Sequence, residues 1–173
     1  MKLLNKFYLT GIVLTLFAVS GVFGITQKFN NAAAPAVRPE IKLNLAGTVS
    51  RDGKTIAVAD AGRVNSDEII DWTITSVNVG TASAVSHEAV AQIPAGTSFV
   101  AGSAQSEVAA AISFSIDNGQ TFSAKPTISV KQADGSVKEV TAPVSMYTQI
   151  RYQWDSPLSA SNERKATYKV AVK

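Results

Sequence analysis

Apolar and polar residues alternate with a period of two along most of this chain. In the stretch 69–104 the run opens with Ile70, Trp72 and Ile74 against Asp71, Thr73 and Thr75. That period puts one set on each face of a strand. Asn78-Val79-Gly80 breaks the pattern, as an Asn/Gly pair does where a chain turns. A second strand is expected around 86–92. Pro94-Ala95-Gly96 punctuates again, and 97–104 is expected to be a third extended run. Three strands at this spacing predict a β-sandwich.

The same alternation recurs on either side. Leu43, Leu45 and Val49 oppose Lys42, Asn44 and Thr48. Asp52-Gly53 then predicts a tight hairpin into a short strand over 55–59. Residues 60–67 form a polar loop. Ile112, Phe114 and Ile116 mark another strand, and Asp117-Asn118-Gly119 reads as the hairpin turn leading to Phe122. A second Asp-Gly hairpin joins 127–131 to 137–140. Ile150, Tyr152 and Trp154 share one face, as do Tyr168, Val170 and Val172. No window outside the first 26 residues has a helical period. Nine or so strands make an all-β, immunoglobulin-like sandwich of two antiparallel sheets the expected fold. Trp72 and Trp154 fall on apolar faces and belong to its core.

The start of the chain has a different pattern. Lys2 and Lys6 precede an uncharged apolar run over 7–26. This describes an N-terminal signal helix, with cleavage after Gly24 or after Ala34. The run is long enough for an uncleaved anchor, but Thr10, Gly11, Ser20 and Gly21 weaken it as a span. The organisation expected is a signal peptide over 1–24, a flexible linker over 25–40 and a sandwich domain over 41–173. The protein is therefore expected to be secreted, periplasmic or on the cell surface.

Charge changes the picture once the leader is set aside. Of 16 Lys and Arg residues, Lys2, Lys6 and Lys28 precede Pro35, while all 13 acids follow it. The body therefore carries no net charge, which gives no basis for nucleic-acid binding. The chain has no Cys, so it has neither disulfides nor thiolate metal sites.

Candidate chemistry is sparse. His87 is the lone histidine, and Ser86 beside it would point to the opposite face of a strand. His87 reads as a solvated strand residue. Asp67, Glu68 and Asp71 read as a solvated acidic turn rather than a glycosidase pair. Asp117 and Asn118 offer too few oxygen ligands for Ca²⁺. Lys42 could enter a Lys–Asn isopeptide bond, but the stretch 166–173 holds no Asn. Asn78 bonding nearby backbone and Gly80 adopting a positive φ would end their strand. No catalytic, cofactor-binding or metal residue is assigned, and no enzyme activity is expected.

Several of these stretches carry a family resemblance. They are Asp71-Trp72-Thr73-Ile74-Thr75, Asn78-Val79-Gly80-Thr81-Ala82, Ile93-Pro94-Ala95-Gly96-Thr97 and Phe114-Ser115-Ile116-Asp117-Asn118-Gly119. With Ile150-Arg151-Tyr152-Gln153-Trp154 they cover most of 41–173. They resemble the bacterial surface-protein repeat called domain of unknown function eleven. That resemblance implies an immunoglobulin-like sandwich on exported proteins and no established reaction. The expected role is a structural or adhesive module that contacts a protein or surface polymer. The alternative is a carbohydrate- or matrix-binding module. Membrane contact would come only through an uncleaved N-terminal segment. The body is expected to be monomeric in solution, with its first and last strands as open edges and Lys165, Lys169 and Lys173 guarding the last.

Overall fold

A computed structural model describes residues 37–173, which hold eleven strands. The apolar segment 1–24 and linker residues 25–36 lie outside the described residues. The strands are β1 (Ile41–Arg51), β2 (Lys54–Ala57), β3 (Ile69–Asn78), β4 (His87–Gln92), β5 (Thr97–Phe99), β6 (Gln105–Ser106) and β7 (Ala111–Ser115). They continue with β8 (Thr127–Lys131), β9 (Val137–Thr141), β10 (Gln149–Trp154) and β11 (Glu163–Val172). A 3₁₀ turn, Val144–Met146, precedes β10. The described residues are all-β, and their paired strands are antiparallel.

One sheet has the order β2-β1-β3-β11-β5, with β6 also pairing β11, and a second runs β4-β10-β7. Both turn alternate residues onto one shared core, the architecture of a β-sandwich. The first contributes Ile70, Trp72 and Ile74 from β3, and Ala166, Tyr168 and Val170 from β11. The second contributes Ile150, Tyr152 and Trp154 from β10, and Ala89 and Ala91 from β4. Both tryptophans are buried, as the alternation predicts. Two tyrosines tie the sheets together. Tyr152 Oη donates to the Thr167 carbonyl at 2.6 Å, and Tyr168 Oη donates to the Gln92 carbonyl at 2.8 Å. Strands β8 and β9 pair as a separate ribbon and add nothing to this core.

The Asp52-Gly53 hairpin forms as expected, with φ values of 51° and 71°. Positive φ at both central residues makes a type I′ turn, whose twist matches the strands it joins.

Three expectations are corrected. The extended run over 97–104 stops at Phe99, because the chain turns at Gly102, where φ is 75°. The Asn118-Gly119 turn is not a tight hairpin. Phe114 pairs with Ser123 through a single bridge, and the loop between them is wide. The last strand is not an edge: β11 lies between β3 and β5. Its lysines answer acids. Lys169 meets Asp71 across the β3–β11 pair, and Lys165 Nζ lies 2.9 Å from Glu163.

Candidate functional site

The sandwich opens between β5 and β7, the outermost strands of the two sheets on one side. An open groove of about 330 Å³ lies there. Phe99 of β5, Ala104 of the following loop, and Ile112 and Phe114 of β7 line it. Val144 and Tyr147, at the 3₁₀ turn, close the far wall. Ala101 and Gly102, in the turn after β5, also line the groove, and the turn stays bonded to β11: Val100 donates to the Lys169 carbonyl, and the Lys169 amide donates to Ser103 Oγ.

Three aromatic rings form the floor. Phe114 and Tyr147 stack with centroids 4.7 Å apart, and Phe99 tilts against Phe114 at 4.9 Å. Phe99 is only 4% exposed, so the floor is continuous with the core, while Phe114 and Tyr147 are half-buried. Tyr147 supplies the one polar side chain of the lining. The groove can hold an apolar side chain by burial and ring contact. It has almost nothing to hydrogen-bond a hydroxylated ligand.

Sequence reasoning did not single out this site. Alternation puts Phe114 on an inward face, but its neighbours Phe99 and Tyr147 lie far off in sequence. Only strand order brings them together.

The polar residues singled out in the sequence are used elsewhere. Glu68 faces Arg51 as a two-point pair, with Nε at 2.6 Å and Nη2 at 2.9 Å. Arg51 also donates to the Ala61 and Arg63 carbonyls, so it clamps the loop before β3. The Arg51 hydrogen bond holds the Glu68 carboxyl down to about 2. Asp71 pairs with Lys169 and Asp67 sits in a turn at φ 67°. The acidic cluster is thus partly an ion-paired clamp rather than a solvated turn. Lys42 is exposed.

Asp117 folds back on its own loop. It accepts from the Thr121 hydroxyl at 2.6 Å and from Ser115 Oγ at 2.7 Å. These bonds, Thr121 first, hold its carboxyl at about 2. Among the described residues no three His, Asp or Glu side chains gather as a metal-binding group.

His87 is not solvated, contrary to expectation. It stacks on Trp154, its cross-strand partner, with centroids 4.7 Å apart. Neither ring nitrogen has a partner among the described residues. Burial, and then the Arg164 charge, lower its pKa. The ring faces inward because β4 alternates and Trp154 opposite it needs a cover. It lacks the hydrogen-bonded serine and acid of a nucleophile site.

Asn78 is fully buried and bonded at both ends of its amide. Oδ1 accepts from the Glu40 and Gly80 amides, and Nδ2 donates to the Ala82 and Leu158 carbonyls. Gly80 is needed for a reason other than the one expected. Its φ is not positive, but a Cβ there would lie 2.4 Å from the Arg38 carbonyl oxygen and the Glu40 nitrogen. Residues 38–40 therefore pack directly on Gly80, and Val79 and Thr81 donate to their carbonyls.

No protein-family model, curated protein or solved structure matches this chain.

Proposed function

We propose that this chain is an exported, immunoglobulin-like module of the cell surface that works by protein–protein contact, without catalysis. The observation that carries the reading is the half-exposed Phe114–Tyr147 pair at the mouth between β5 and β7. Apolar mouths rimmed by polar surface mark interaction sites. A lining with one polar side chain favours an aliphatic or aromatic anchor of a partner protein over a sugar. The basic, then apolar, leader supports export. Two antiparallel sheets around buried tryptophans support the immunoglobulin-like reading.

The test is a peptide-display selection against the chain and its Ala104→Asp variant, which puts a charge at the groove wall. The expected result is enrichment of peptides with a Phe, Leu or Trp anchor, lost in the variant. No enrichment would remove the protein-contact reading. Glycan-array binding abolished by the same variant would replace it with carbohydrate recognition.

A further inference from the structure

The outer edge of β1 is open where β2 does not reach it. Strand β2 covers Thr48–Arg51 only, and the Gly47 carbonyl accepts from Val58. The Glu40 carbonyl accepts from Val79, beyond the end of β3. The register along β1 is unbroken from Ile41 to Val49, so the direction of its backbone groups alternates throughout. Even-numbered residues bond to β3. The N–H and C=O groups of Ile41, Leu43 and Leu45 point outward, with no strand beside them among the described residues. The stretch 41–46 lacks the usual edge defences: it has no proline and no bulge, and its one charge, Lys42, lies on the outer face.

We infer that this edge pairs with the same edge of a second copy, joining two molecules through one continuous sheet. The stretch is self-complementary about Leu43. An antiparallel pairing centred there sets Leu43 against Leu43 of the second copy, and Ile41 against its Leu45. All three resulting pairs have both members' groups directed at each other, so each exchanges two hydrogen bonds. Leu43 and Leu45 are only half-buried against the core, and the pairing covers them. On the outer face Lys42 meets Asn44 of the second copy, so no like charges are opposed. The ladder also ends where it must. The next pair would set Gly47, whose carbonyl is taken, against Pro39 of the second copy, which has no N–H. This is an isologous, two-fold contact that closes on itself.

The monomer expected from the sequence rested partly on lysines guarding a last strand that proves to be interior. The open strand is β1, and its short ladder makes a concentration-dependent dimer. It is separate from the groove between β5 and β7.

The register gives a test of opposite signs at one exposed residue. Sedimentation equilibrium is run on the full chain, on Asn44→Lys and on Asn44→Glu, in low and high salt. Any association through the apolar leader is common to all three. Asn44→Lys opposes two lysine pairs by symmetry and should weaken the dimer about five- to thirtyfold. Asn44→Glu creates two Lys–Glu pairs and should tighten it by a similar factor, with the gain lost in high salt. If the wild type is monomeric throughout, Asn44→Glu must still dimerise. The proposal is overturned if it does not, or if both variants shift association the same way or leave it unchanged.

Discussion

Asn78 ties three backbone segments together with four hydrogen bonds from one amide. It reaches the segment before β1, the loop after β3 and the Leu158 carbonyl; the bond to Leu158 is buried and the other three are partly buried. Removing it takes a hydrogen-bond partner from four partly or fully buried backbone groups. Asn78→Ala should cost about 3 kcal/mol by urea unfolding, since each buried orphan costs about 1–3. Asn78→Asp keeps the shape but points a carboxylate at two carbonyls, and should cost at least as much at neutral pH. A loss below about 1 kcal/mol for the alanine variant would mean that water replaces the amide. The sequence marked Asn78 and Gly80 correctly as structural. It could not reveal why Gly80 is glycine, because Arg38 and Glu40 are brought over it only by the pairing of β1 with β3.

Individual strands were legible because alternation is a local signal. The face of β3, the whole of β10 and the Asp52-Gly53 turn follow from it directly. Strand order is not local, so β11 read as an edge although it lies within its sheet, and the β5–β7 mouth went unseen. Burial on these faces can be tested. Trp72 lies across β1, where a Cβ on Gly47 would sit 2.8 Å from its ring. Trp72→Ala should therefore cost about 3–5 kcal/mol, as a buried aromatic does. A cost near zero would mean that the strand faces the other way, because a one-residue slip inverts every side chain. Tyr152→Phe tests the tie between the sheets. It removes only the hydroxyl bonded to Thr167 and should cost about 1–2 kcal/mol. An unchanged urea midpoint would show that this bond adds nothing.

At the scale of the molecule, acid acts through groups held away from their usual protonation. The body balances its charges at neutral pH, so protonating acids leaves unmatched cations. Glu68 and Asp117 both titrate at about 2 in the fold, below usual values of 4.5 and 3.8. Their contribution is complete above those usual values and is lost as pH falls toward 2. His87 acts earlier. Burial and the Arg164 charge hold its pKa below 6.5, and its nitrogens meet no acceptor among the described residues. Arg164 lies over the same Trp154 that His87 covers, while the neighbouring Glu88 is turned toward Arg151. The unfolded chain takes up a proton at His87 before the folded one does, so stability begins to fall as pH drops through 6.5. The melting temperature should therefore descend in two limbs, one starting near 6.5 and one below 4.5. His87→Phe keeps a ring on Trp154 and has no proton to gain. Calorimetry from neutral to acid pH should show its melting temperature rising relative to the wild type as pH falls below 6.5, while the lower limb stays common to both. Parallel curves through that range would show that His87 gains its proton as freely in the fold as outside it.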